Sequence, residues 1–75
     1  MNIPELRYLV AIQKWGSVSA AAKQLYAAQP NVSKALKKLE EEYGLRIFER
    51  SSTGMIPTEP GRRVIEQAAR VLEEV

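Results

Sequence analysis

The stretch AAQPNVSKALKKLEEEYGLRIFER, residues 27–50, decides how this chain folds. Val32, Ala35, Leu36, Leu39 and Tyr43 recur at helical spacing and predict one apolar stripe. Pro30, Lys34, Lys37 and Glu41 fall on the opposite side, flanked by Asn31 and Ser33. Gly44 is a natural stop, so a helix is expected over residues 29–43. Its charges are sorted. Lys34, Lys37 and Lys38 lie in the first half, and Glu40, Glu41 and Glu42 in the second. That order opposes the helix dipole, which favours acids near the N-terminus and bases near the C-terminus. A partner that needs cations on the leading turns would explain it.

Ahead of this stretch, Pro4 fits a first helical turn, and Gly16 ends a helix expected over residues 4–15. Leu6, Leu9 and Val10 share one face with Gln13, and Tyr8, Ala11, Ile12 and Trp15 share another. A belt that broad predicts contact from more than one side. Ser17 reads as an N-cap for a second helix over 18–25, with Val18, Ala21, Ala22 and Leu25 as its stripe. The three consecutive alanines allow close approach of a neighbouring helix. Tyr26-Ala27-Ala28 is a short turn before the third helix.

Downstream, Ile47-Phe48 and Met55-Ile56-Pro57 flank the turn residues Ser51-Ser52-Thr53-Gly54. A small β-hairpin follows from that pattern. Thr58 is a good N-cap, with Glu59 and Pro60 in the first turn of a helix over 59–75. Val64, Ala68, Val71 and Val75 form its seam, widened by Ile65, Ala69 and Leu72. So wide a face is expected to exceed what one small domain can cover. Pairing of this helix with a second subunit, and a chain continuing beyond it, are the corresponding expectations.

With 75 residues the chain fits one small domain. It contains no Cys and no His. That excludes disulfides, Cys/His zinc sites and histidine acid–base chemistry. Glu40, Glu41 and Glu42 splay around a helix instead of converging on a cation. No nucleophile–base pair or Gly-rich phosphate loop is present, so neither an enzyme nor a cofactor is expected. No signal peptide or membrane-spanning run is seen, and a cytoplasmic location is expected. The net charge is only +2, so the distribution of charge matters more than its sum.

Mainly helical, with a small hairpin, the pattern reads as a winged helix-turn-helix of three helices plus wing, followed by a long linker helix. In that fold the third helix enters the major groove of DNA. Lysines on its leading turns then meet phosphates, and Gln29, Asn31 and Ser33 offer donors and acceptors to base edges. A helical protein-interaction module is served equally by the apolar belts. The sorted charge is what separates the two readings.

The chain resembles the N-terminal winged helix-turn-helix domain of LysR-type transcriptional regulators. The resemblance rests on LRYLVAIQKWGSVSAAAKQL, on the Gln29-Pro30-x-x-Ser33 start, on Leu39-Glu40, on Gly44-Leu45-x-Ile47-Phe48-x-Arg50 and on Thr58-Glu59-x-Gly61. It implies a DNA-binding domain over residues 1–58 and a linker and dimerisation helix over 59–75. It also implies a homodimer through that helix (with tetramers in full-length members), a pseudo-palindromic operator in double-stranded DNA, and a C-terminal domain holding a small-molecule effector. The resemblance implies DNA contacts at Gln29, Pro30, Ser33 and Lys34, with Lys37 and Lys38 beside them; Asn31 is expected from its place flanking the outer face. Arg50 and Thr53 are implied in the wing, residues 46–57, near the minor groove. Dimer contacts are expected at Val64, Ile65, Ala68, Val71, Leu72 and Val75. The sequence departs from the family at Thr53, often basic, at Ala28, often a capping Ser or Thr, at Ala20, often polar, and at Pro60, often Ala.

Overall fold

The computed structural model describes residues 2–74. The first helix, α1, is Ile3–Trp15 and starts one residue ahead of the expected boundary. Asn2 is the reason. Its Oδ1 accepts from the Glu5 N–H at 2.9 Å, and its own N–H donates to Glu5 Oε1 at 3.0 Å, closing a capping box. Gly16, with φ 85°, ends α1 and donates to the Ile12 carbonyl. Ser17 caps α2, Val18–Gln24, by accepting from the Ala20 N–H at 3.0 Å. α2 stops one residue short of the expected 25, because Leu25 serves as its C-cap. α3 is Gln29–Tyr43, as its spacing predicts, and Gly44 at φ 67° terminates it. The hairpin pairs β1, Phe48–Ser51, with β2, Gly54–Pro57, antiparallel, Arg50 opposite Met55. α4 is Glu59–Glu73, with Thr58 as N-cap.

These elements make a winged helix-turn-helix followed by a long helix. Leu9 and Ile12 of α1, Ala21 and Ala22 of α2, and Val32 and Leu39 of α3 are buried in one core. Ile47, Phe48, Val64 and Ile65 close it from the wing and α4. Full burial of each large aliphatic or aromatic side chain contributes roughly 1.5–3 kcal/mol. Tyr43, on the α3 stripe by spacing, is instead exposed, because its turn is the last of the helix and lies past the core.

The α4 seam is divided. Val64, Ile65 and Ala68, expected to face a second subunit, are buried within this one, on the helix that packs most extensively against α1. The domain is therefore able to cover more of α4 than its size suggested, because α1 supplies the wide apolar belt that receives it. Val71 is 40% exposed and Leu72 is partly buried. Val75 lies outside the described residues.

The chain from α3 into the wing is fixed by a dense set of polar contacts. Glu40 Oε2 accepts from the N–H of Ile47 at 2.8 Å and more weakly from that of Phe48 at 3.4 Å. Thr58 grips the same segment from the other side. Its N–H donates to the Ile47 carbonyl at 2.9 Å, and its hydroxyl donates to the Arg46 carbonyl. The Thr58 hydroxyl also accepts from the Gly61 N–H at 2.9 Å, which caps α4. Gly61 is buried against the Ile47 backbone so closely that a Cβ there would collide with the Ile47 carbonyl. A further bond, from the Met55 N–H to the Gly16 carbonyl at 2.8 Å, docks β2 onto the α1–α2 turn.

Removing the Glu40 carboxylate leaves the buried Ile47 N–H without its acceptor. Glu40→Ala is expected to lose about 1–3 kcal/mol of stability in urea unfolding. Glu40→Gln, which keeps a carbonyl oxygen at the same reach, is expected to lose less. Equal stability of Glu40→Ala and wild type would show that water replaces the carboxylate at no cost.

Candidate nucleic-acid interface

The α3 stripe turned to the core dictates what the opposite face presents. Gln29, Pro30, Asn31, Ser33, Lys34, Lys37 and Lys38 are all exposed. At its start, Ala28 gives no side-chain hydrogen bond, and the first turn holds no acidic residue. The positive end of the helix dipole is thus left without a protein anion.

This face has two flanks. On one, Gln29 and Ser33 border an open groove whose other walls are Ser17 and Ser19 at the start of α2 and Arg50 on β1. Lys37 continues that flank beside Arg46 and Arg50. The hairpin therefore brings Arg50 to the recognition face although it is 17 positions from Ser33 in sequence. Ser17 was legible only as a cap, and Ser19 and Arg46 gave no signal. Their approach to α3 depends on where α2 and β1 dock, which no local spacing encodes. Arg46 Nε also lies 3.9 Å from Glu40 Oε2, a loose pairing that steadies the guanidinium near the groove.

Thr53 sits at the exposed tip of the hairpin and does not itself line the groove, although Ser51 and Gly54 at the base of the tip do. Ser51 Oγ organises that tip, donating to the Gly54 carbonyl at 2.9 Å and accepting from the Thr53 N–H at 3.3 Å. Thr53 is therefore part of a self-contained turn, whereas Arg50 is aligned with α3.

On the second flank, Asn31, Lys34 and Lys38 border the N-terminal part of α1 at Pro4, Glu5 and Tyr8. Here the structure gives one of the expected contact residues a partner within the chain. Lys38 Nζ lies 3.0 Å from Glu5 Oε2. The Glu5 side chain is only 9% exposed, while that of Lys38 is 57% exposed. Burial pushes the Glu5 carboxyl up, but the Lys38 hydrogen bond, the Asn2 N–H and the lysine charge outweigh it and hold it below its ordinary value of 4.5. The same hydrogen bond and the charge of Glu5, with help from Glu42, raise Lys38 above 10.5.

Among the described residues there is no cluster of three or more His, Cys, Asp or Glu side chains able to hold a metal ion. Nor is any described helix long and apolar enough to cross a membrane. The arrangement is a hydrogen-bonding, cationic helix face with Arg46 and Arg50 beside it, suited to a polyanion that has a groove.

Known proteins share the fold. The profile of the family described as "Bacterial regulatory helix-turn-helix protein, lysR family" matches residues 3–62. The chain is 41% identical over 73 residues to the HTH-type transcriptional regulator TfdS of Cupriavidus pinatubonensis, covering 97% of this chain and 25% of that protein. It is 39% identical over 75 residues to the DNA-binding transcriptional dual regulator OxyR of Escherichia coli, covering 100% and 25% respectively. It thus spans about a quarter of the length of these relatives. Among solved structures, the complex of the CbnR DNA-binding domain with DNA superposes with a TM-score of 0.90 at 36% identity, over 97% of this chain and 84% of that one. The BenM domain on its catB site 1 DNA gives 0.92 at 35% identity, over 99% and 83%.

The Glu5–Lys38 pair predicts a shape for stability against pH. The lowered Glu5 value means its contribution is present above pH 4.5 and is lost as pH falls through the folded-state value below that. The raised Lys38 value means its contribution is present below pH 10.5 and is lost as pH climbs past the folded-state value above that. Urea unfolding of Lys38→Met across acid pH is expected to show a shallower acid decline than wild type. Superimposable acid limbs would show that the pair does not form in solution.

Proposed function

The chain belongs to the lysR family of bacterial regulatory helix-turn-helix proteins, and from that premise we propose that it binds double-stranded DNA sequence-specifically as the reading head of a transcriptional regulator. The observation that carries this reading is the juxtaposition of Gln29, Ser33 and Lys37 on the α3 outer face with Arg50 of β1, with Lys34 exposed on the other flank. α3 enters the major groove N-terminus first. Gln29, Asn31 and Ser33 read base edges, and Pro30 lets the backbone approach. Lys34 and Lys37 neutralise phosphates, as does the uncapped helix start. The wing, residues 46–57, runs beside the groove, with Arg50 on the backbone and Thr53 toward the minor groove. Lys38, tied to Glu5, is not among these contacts.

Residues 1–58 act as the binding unit, and residues 59–75 act as the linker. With Val64, Ile65 and Ala68 buried in this chain's own core, the proposed dimer contact narrows to Val71 and Leu72, with Val75 beside them. A two-fold dimer calls for a pseudo-palindromic site. The larger assembly, the effector and its pocket belong to a further domain of a cytoplasmic regulator. The function is binding, with no catalytic step and no cofactor.

The test is salt dependence. On a duplex selected from a random pool, Lys34→Ala and Lys37→Ala are each expected to reduce the slope of log K against log salt by about 0.9. Gln29→Ala is expected to relax preference at one base pair, costing about 1–3 kcal/mol on the preferred site alone. Unchanged slopes in both lysine variants would remove α3 from the interface. For the dimer, wild-type protein is expected to sediment above its 8.4 kDa monomer mass, and Val71→Asp to shift it back toward the monomer. Wild-type protein sedimenting as a monomer at high concentration would contradict pairing through this segment alone.

A further inference from the structure

Resting on the reading that α3 meets DNA, we propose that Glu5 is a specificity-determining residue: a carboxylate on α1 that withholds the Lys38 charge from the phosphate backbone. Lys38 stands at the edge of the same exposed face as Lys34, with 57% of its side chain accessible. An unrestrained lysine there would reach phosphates of any sequence. Glu5 prevents this because its own position is fixed by both oxygens. Oε2 holds Lys38 Nζ at 3.0 Å, and Oε1 accepts from the Asn2 N–H at 3.0 Å. The carboxylate cannot follow the lysine outward without opening the capping box that starts α1. Glu42, four residues beyond Lys38 on α3, adds a second negative charge near the ammonium.

The consequence lies in the ratio of specific to non-specific binding. Each available cation adds to the sequence-independent term, and a regulator is judged by how far its preferred site exceeds that background. In the specific pose, Gln29 and Ser33 seat the helix start in the groove. Lys38 then lies nine residues behind Gln29, about 13 Å along the axis, on the side turned to α1. In sequence-independent encounters the protein samples many poses, and a released ammonium finds a phosphate in a larger share of them. Glu5 trims that background.

The experiment uses the full chain, a selected duplex and a mixed-sequence duplex of equal length. Glu5→Gln removes the charge but keeps an acceptor for the Asn2 N–H, since Gln also supports a capping box. On the mixed-sequence duplex Glu5→Gln is expected to steepen the salt slope by about 0.9. The affinity lost between roughly 50 and 200 mM salt then grows by about 3.5-fold. The selected duplex should gain less. Lys38→Met alone should leave the wild-type slope unchanged, and the double variant should abolish the gain of Glu5→Gln. A slope flattened by Lys38→Met alone, an unchanged slope in Glu5→Gln, or a gain that persists in the double variant would each overturn the proposal. The Lys38→Met arm alters one exposed side chain, so it decides the matter even if Glu5→Gln fails to fold. Absence of wild-type DNA binding, or of any effect of Lys34→Ala, would instead remove the underlying DNA reading. An intact Lys34 effect with a null Glu5 cycle removes only the role of Glu5.

Discussion

One carboxylate holds this domain in working shape. Where α3 ends at Gly44 the chain reverses, and within four residues it must bury Ile47 and Phe48. Burying those side chains also withdraws their backbone N–H groups from water, and a buried donor left unpaired costs about 1–3 kcal/mol. Glu40 meets both groups with one oxygen, and an ionised acceptor makes such bonds stronger than neutral ones. Thr58 and Gly61 clamp the other side of the same segment. The wing, the start of α4 and the last turns of α3 thereby become one body. The orientation of Arg50 relative to Ser33 follows from that, and so does the groove between them.

The charge order of α3 now has a physical explanation, and it differs for each residue. Lys34 and Lys37 are exposed on the leading turns, where the proposed contact with DNA phosphates would offset their unfavourable position relative to the dipole. Lys38 belongs to an ion pair with α1. Glu40 turns inward as an acceptor for the wing, and Glu42 supports Lys38. Glu41 remains exposed on the far end of the outer face. A run that reads as two blocks of like charge is thus several separate interactions, and the proposed DNA contact is assigned to the leading pair.

Much of the fold was legible in the sequence because its signals are local. The α3 stripe, the Gly16 and Gly44 stops, the Ser17 and Thr58 caps and the turn of the hairpin each depend on residues within a few positions of one another. The Asn2 cap was missed, although Glu5 three residues later was its signature. What failed was long-range. Periodicity showed a wide apolar seam on α4 but could not tell that Val64, Ile65 and Ala68 would meet α1 of their own subunit. Lys38 looked like its neighbours because Glu5 is 33 positions away. The importance of Leu39-Glu40 and Thr58-x-x-Gly61 was visible as pattern, yet its cause lies in the backbone of residues 46–48 between them. The basic side chains of the groove converge for the same reason, through docking that no single helix or strand specifies.

Native-state hydrogen exchange on the uncomplexed protein tests most directly whether reading helix, wing and linker form one body. The amides of Ile47, Thr58 and Gly61 are the donors in the clamp. If the clamp opens only when the whole domain unfolds, these three exchange at the global rate, together with core amides of α1 and α3. Exchange at the much faster rate of exposed hairpin amides such as Ser52 would show that the wing moves independently of α3, contradicting a preset groove.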